Sequence, residues 1–166
     1  MKRNYFLIII SLLICLFIYM FYRTEKTVIN EIFIYLFSKN IYFELKKNIA
    51  SILPLNDLII YSLPEGLWIF CVTLTSKFYF IKVLNFKFKL VYFPLIISIC
   101  LEFSQYFHLT NGKFDFFDII FSFIFWSLAN YLTLNNSLKN ILNPINIRSS
   151  FCFFSYIIIY LSHVSN

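Results

Sequence analysis

Apolar residues run from Tyr5 to Tyr22 with only Ser11 interrupting them, between Lys2 and Arg3 on one side and Arg23 on the other. Roughly 18 residues at about 1.5 Å each just cross a hydrocarbon core of about 30 Å, so the stretch predicts a transmembrane helix. Basic residues ahead of an apolar run also mark secretory signal peptides. No small-x-small cleavage site follows this one, so an uncleaved anchor is expected. From Thr24 to Ser62 the pattern changes: Glu25, Glu31, Glu44 and Asp57 are set against Lys26, Lys39, Lys46 and Lys47 among shorter apolar clusters. Ile29, Ile32, Phe33, Leu36 and Phe37 recur at helical spacing, as do Ile41, Leu45, Ile49, Ile52 and Leu53. Two amphipathic helices at a membrane interface are expected, with one tilted span through the region as the alternative.

The next apolar segment opens at Leu63-Pro64-Glu65-Gly66-Leu67-Trp68 and runs to about Ile81. Pro64 suits a first helical turn, Glu65 the positive end of the dipole and Trp68 a headgroup-level belt. Lys77 is close enough to the far end to snorkel. A third segment, Leu90 to Leu109, follows a basic loop with Lys82, Lys87 and Lys89. The short turn Thr110-Asn111-Gly112-Lys113 makes a fourth, Phe114 to Leu134, its antiparallel neighbour. A fifth, Phe151 to Val164, is the shortest and follows a polar loop carrying Lys139, Pro144 and Arg148. The predicted fold class is therefore all-α: a single membrane domain, residues 1–166, forming a polytopic bundle of five transmembrane helices plus interfacial helices. Placing the N-terminus in the cytoplasm puts Lys2, Arg3, Lys82, Lys87, Lys89, Lys139 and Arg148 inside, leaving Lys113 in the short outer loop and the long mixed-charge loop outside. The pattern therefore predicts a membrane bordering the cytoplasm, with the N-terminus on that side.

Composition strengthens this reading. The chain is 60% hydrophobic and 13% charged, against about 45–50% and about 25% for an ordinary globular domain. A water-soluble fold of this size could not hide so much apolar surface, whereas lipid solvates it and asks only that backbone groups be paired. The abundance of Phe, Tyr, Ile, Asn and Lys beside scarce Gly and Ala matches AT-rich coding, so the aromatic content is not read as a binding box. The net charge of +6 sits mainly beside apolar runs, which suits headgroups rather than nucleic acid, and no nucleic-acid partner is expected. Cys15, Cys71, Cys100 and Cys152 occupy different apolar segments without a CxxC pair, so they are expected to be packing residues. Neither a metal site nor a cofactor is expected: two glycines cannot build a phosphate cradle, and no GxSxG, P-loop, HExxH or GxGxxG occurs.

The chemistry concentrates in Glu102-Phe103-Ser104-Gln105 and in Asp115-Phe116-Phe117-Asp118. Each i, i+3 pair shares a helix face. Counting from the turn, Gln105 and Asp118 lie roughly 6 Å in and Glu102 roughly 10 Å in, so these groups meet in the outer half of the bundle. An ionisable group at a helix centre costs about 2.5–3.5 kcal/mol to insert, so it faces the protein interior with a partner or water. Glu102, Gln105, Asp115 and Asp118 are the candidate ligand-binding residues, with Glu102 and Asp118 the candidate catalytic pair. The competing explanation is an interhelical clasp. Membrane hydrogen bonds average only about 0.6 kcal/mol, which hardly offsets burying two acids. His108 projects about 120° from Glu102 on a helical wheel, so it is read as an interfacial, solvated side chain, and His163 as solvated too.

Glu102-x-x-Gln105, an outer turn, then Asp118 opening the next helix, together with the Leu-Pro-x-x-Leu-Trp run at Leu63, resembles the VanZ-like family of small polytopic membrane proteins over about Leu63 to Leu134. The chain departs from that family at Gly112-Lys113, where an arginine is frequent, and at Ser122 and Phe125, where an Asn and a Gly are. The resemblance implies an envelope-related membrane protein with the acid and amide pair at its most characteristic positions. Expected partners are membrane lipids, an envelope ligand or other membrane proteins. The expected function is binding, ahead of enzymatic action, on a lipid headgroup, a glycopeptide-related ligand or a cation; the alternatives are a structural or assembly subunit and a small transporter or proton pathway.

Overall fold

The computed structural model describes residues 2–23, 28–83, 86–110, 113–132, 138–141 and 149–156. Helix α1 spans Lys2–Phe21, α2 Val28–Phe37, α3 Lys39–Ile52 and α4 Asp57–Ser76. Strands β1, Tyr79–Val83, and β2, Phe86–Lys89, lead through a 3-10 turn at Leu90–Tyr92 into α5, Phe93–Tyr106. Helix α6, Phe116–Leu132, and strand β3, Lys139–Asn140, follow, then a helical stretch at 149–156. The fold is mostly helical, as expected. Among the described residues two helices, Arg3–Phe21 and Asp57–Ser76, are long and apolar enough to cross a membrane; Leu90–Tyr106 and Phe116–Leu132 are apolar but shorter. The second half of the expected fifth span, with His163, lies outside the described residues, as do Asn111, Gly112, Pro144 and Arg148.

Helix α4 is the centre of the molecule. Among the described residues 61% of its apolar window is buried, against 17% for α1, so α4 is the core and α1 a peripheral helix. It begins at Asp57 rather than at Leu63, with Asn56 as N-cap and Asp57 in the first turn. The Asn56 carbonyl accepts from the Ile59 and Ile60 N–H groups, which opens the helix ahead of Pro64. Pro64 therefore lies inside α4, buried against α1, where Cys15 Sγ approaches its carbonyl at 3.8 Å. Proline is tolerated within a packed apolar helix when neighbouring groups satisfy the backbone it disrupts. The earlier start also moves Trp68 about 16 Å along the axis from Asp57. The indole is half-buried there rather than placed at a helix end, and its Nε1 has no hydrogen-bond partner among the described residues.

Contacts along α4 fix the directions of its neighbours. Cys71 Sγ approaches the Ile8 carbonyl at 3.9 Å and Arg23 reaches the Tyr61 carbonyl, so α1 runs antiparallel to α4. Phe70, Leu74 and Ala129 share one apolar cluster and Lys77 Nζ donates to the Asn130 carbonyl at 2.6 Å, so α6 runs parallel to α4. The seam between these two depends on Gly66: a Cβ there would lie 2.4 Å from the Phe125 ring. Phe125 is held in turn by stacking with Phe121 and an edge contact with Phe70.

Helices α2 and α3 occupy the region read as interfacial, and they close the end of α1. The last carbonyls of a helix have no intrahelical donors. Here Asn30 Nδ2 donates to Tyr19, the Tyr42 hydroxyl to Met20 at 2.7 Å and Lys46 Nζ to Arg23 at 2.8 Å. With those polar groups turned inward, Ile32, Leu36, Phe37, Ile41, Leu45, Ile52 and Leu53 face outward.

The basic loop of the sequence reading is instead a β-hairpin. Strand β1 pairs antiparallel with β2 (Ile81 with Phe88, Lys82 with Lys87) and parallel with β3 (Tyr79 with Lys139), giving the order β2-β1-β3. Strand pairing explains the departure from a purely helical reading, because Phe86-Lys87-Phe88-Lys89 alternates with the period of a strand. Leu90, Ile141 and Cys152 pack beneath the sheet.

A buried polar site at the acidic end of the bundle

Helices α4, α5 and α6 each bring a carboxylate and a serine to one end of the bundle. Ser62 and Glu65 lie on α4, Ser98 and Glu102 on α5, Asp118 and Ser122 on α6. In each pair the residues are three or four apart and share a helix face. Ser98 Oγ and Ser122 Oγ are 2.9 Å apart and fully buried, and Ser98 also donates to Glu65 Oε1 at 3.4 Å. Three helices are thereby joined by one short polar chain. A hydroxyl suits this place because it both donates and accepts, so it pairs without adding charge.

Glu102 is 3% exposed, and its Oε2 accepts the Asp115 backbone N–H at 3.0 Å. Asp115 caps α6: its Oδ1 accepts the Phe117 N–H at 2.9 Å and its carbonyl accepts the Asp118 N–H. In a capping box the acid that holds the cap's own N–H comes from the same helix. Here Glu102 supplies it from the preceding helix, so the carboxylate ties α5 to the start of α6. Tyr106 and Phe114 close the same hairpin with an edge-on ring contact at 5.6 Å.

Asp118 is less well matched. Its Oδ1 is buried with no hydrogen-bond partner among the described residues. Ser62, Asp115 and Arg23 are its polar neighbours. Ser62 is 1% exposed and its Oγ makes no well-formed hydrogen bond, and Arg23 Nε is likewise buried and unpaired. The Arg23 guanidinium lies 5.0 Å from the Tyr19 ring centroid and 5.1 Å from that of Tyr61, and its Nη2 donates to the Tyr61 carbonyl at 3.2 Å. Ser62 Oγ on α4 thus faces the Asp118 carboxyl on α6 as a long, poorly formed hydrogen-bond partner, and Arg23 at the end of α1 is the nearby positive charge, with its Nε unpaired among the described residues.

Of the residues singled out from the sequence, Glu102, Asp115 and Asp118 come together. Gln105 is half-buried on the same helix, where its backbone carbonyl accepts the His108 N–H; its side chain makes no hydrogen bond among the described residues. His108 is exposed in a left-handed backbone conformation, φ 56°. Arg23, Ser62, Glu65, Ser98 and Ser122 join the site although none of them was a site candidate from the sequence. The signal for the serines was their place three or four residues from each acid, which looks like neutral filler until the acids are seen to converge; Arg23 had no such signal. Among the described residues no three His, Cys, Asp or Glu side chains are grouped closely enough to hold a metal ion. No family model, curated protein or solved structure matches this chain.

Proposed function

We propose that the chain is an integral membrane bundle of five crossings, with its N-terminus in the cytoplasm of a bacterial inner membrane. In this reading the polar site binds the headgroup of an envelope component at the outer face. The outward apolar surface supports the membrane reading. Tyr5, Phe6, Ile9, Leu12 and Leu13 of α1 are each half or more exposed, as are Tyr35 and Leu36 of α2, a surface that lipid solvates and water does not. The apolar stripes of α2 and α3 then lie against the headgroup and acyl boundary. The VanZ-like relationship stays a proposal that rests on the sequence motif Glu102-x-x-Gln105 with Asp118.

The observation that carries the binding reading is the poor match at Asp118: its Oδ1 and Ser62 Oγ face each other without a well-formed hydrogen bond, and Arg23 Nε nearby is unpaired among the described residues. Leaving a buried polar atom unpaired costs about 1–3 kcal/mol, and a ligand that supplied the missing partners would recover that cost. The set offers an anionic acceptor with a cationic donor in its neighbourhood, which matches a zwitterionic headgroup. Its members are not grouped as a chelating site for a bare metal ion. Binding, rather than group transfer, is the activity this arrangement supports.

Glu102 favours a second role within the same site. Its one well-formed side-chain contact, accepting the Asp115 N–H, holds α5 to the start of α6. Glu102 is thus a positioning residue and Asp118 the ligand group. Glycerophosphoethanolamine is a suitable probe because it is the free headgroup of a zwitterionic lipid. It should raise the Tm of the detergent-solubilised protein and leave that of Asp118→Asn unchanged. No shift in the wild-type protein, together with a lowered Tm for Asp118→Asn, would make the whole cluster structural.

A further inference from the structure

At the opposite end of the bundle, the edge of the small sheet and the start of α5 enclose an open cavity of about 410 Å³ lined by Lys87, Phe88, Lys89, Tyr92, Phe93 and Ile96. We infer that this cavity is a second ligand site, taking the headgroup of an anionic phospholipid while one acyl chain lies along Phe93 and Ile96. The inference rests on the membrane reading above and is independent of the zwitterionic site.

Three features point to that occupant. The charged residues lining the cavity are both lysines, and every described acid of the chain, from Glu31 to Asp118, lies towards the other end. Lys82 and Lys87 face each other directly across the β1–β2 pair, and Lys87 Nζ lies 5.7 Å from the centroid of the Phe80 ring, so positive charge is concentrated on this part of the sheet. The remaining wall is apolar and continuous with the outer side of α5: Phe88, Tyr92, Phe93 and Ile96 are between 40% and 54% exposed. A free anion would use the lysines but leave that wall in water. A phosphodiester with an attached chain uses both. Basic pockets between membrane helices on the cytoplasmic side bind acidic lipids by this division of labour. Strand β2 is also an edge of the sheet, which leaves part of its backbone open to the same headgroup.

Trp126 reports on the site. Its ring lies 5.9 Å from Tyr92 in the cavity wall, and its Nε1 donates to the Val91 carbonyl at 2.8 Å. The chain has two tryptophans, so Trp68→Phe leaves a single fluorophore. This protein, reconstituted in phosphatidylcholine vesicles, is titrated with dibrominated phosphatidylglycerol or dibrominated phosphatidylcholine, whose bromines quench a nearby indole. A lysine at a membrane surface is worth about fivefold in anionic-lipid affinity, so two should make the anionic quencher effective at about 25-fold lower mole fraction. Lys87→Gln with Lys89→Gln should remove the preference, and Lys87→Arg with Lys89→Arg should keep it. Equal quenching by the two lipids, or a preference that survives the glutamine pair, would overturn the lipid site while leaving the membrane reading intact. Quenching by neither lipid would overturn both. Full relief of the quenching by inorganic phosphate would assign the lysines to a free anion and overturn the lipid site.

Discussion

The two ends of this molecule handle charge in opposite ways. At the acidic end Glu65, Glu102, Asp115 and Asp118 are drawn into the bundle, where serines and backbone N–H groups meet them and Arg23 supplies the nearby positive charge. At the other end Lys82, Lys87, Lys89 and Lys139 stay exposed on a small sheet. Removing a carboxylate from water makes its partners matter, because each unmatched atom costs about as much as a hydrogen bond is worth. An exposed lysine keeps its hydration and asks little of its neighbours. The acidic end is therefore a site whose geometry is fixed by the fold, whereas the basic end attracts through its field.

The largest effect should come from breaking the seam that carries both ends. Gly66→Leu places a side chain where the Phe125 ring already sits, and the protein should fail to accumulate in membranes as judged by immunoblot. Gly66→Ala should cost about 1–3 kcal/mol by overpacking. At about 2–4 °C per kcal/mol for a chain of this size, that is a Tm lowered by roughly 2–12 °C in a thermal-shift assay.

Next comes a test of whether burial makes the acidic end specific. Glu102→Ala strands the Asp115 N–H and should lower Tm by an amount corresponding to about 1–3 kcal/mol. Hydrogen exchange at Asp115 and Phe117 should then accelerate as the start of α6 loosens, while the Lys82–Lys87 hairpin stays unchanged. Equal acceleration at both ends would mean that the two ends are not independent.

A smaller effect is expected where charge is exposed. Lys82→Glu converts the like-charged cross-strand pair with Lys87 into an opposite-charged one, worth about 0.2–1 kcal/mol. The Tm should rise by a few degrees at most, and the gain should fade in high salt. A gain that persists in high salt would argue against a solvated basic end.

The existence of the two long apolar helices was readable from their length and hydropathy, though the second starts six residues before its expected opening at Leu63, and the stripes of α2 and α3 were readable from their spacing. The interior of the site was not. Pro64 looked like the first turn of a helix, which made Glu65 a partner for the helix dipole; with α4 starting at Asp57, the same glutamate faces Ser98 on α5. Serines 98 and 122 carry no chemical signal alone, and their meeting depends on how α5 and α6 are rotated, which is a packing outcome. The alternation in Phe86 to Lys89 was present, but counting lysines for topology hid it, and the parallel pairing of β1 with β3 joins segments too distant in sequence for a local pattern to show.

The most direct test concerns the proposed separation of the two ends across a membrane. In a variant with Cys15, Cys71, Cys100 and Cys152 replaced by serine or alanine, single cysteines at Asp57→Cys and Lys139→Cys can be labelled on intact cells with a membrane-impermeant maleimide. The acidic-end cysteine should react at once, and the basic-end cysteine only after the membrane is permeabilised. Labelling of both without permeabilisation, or of Lys139→Cys alone, would contradict the account.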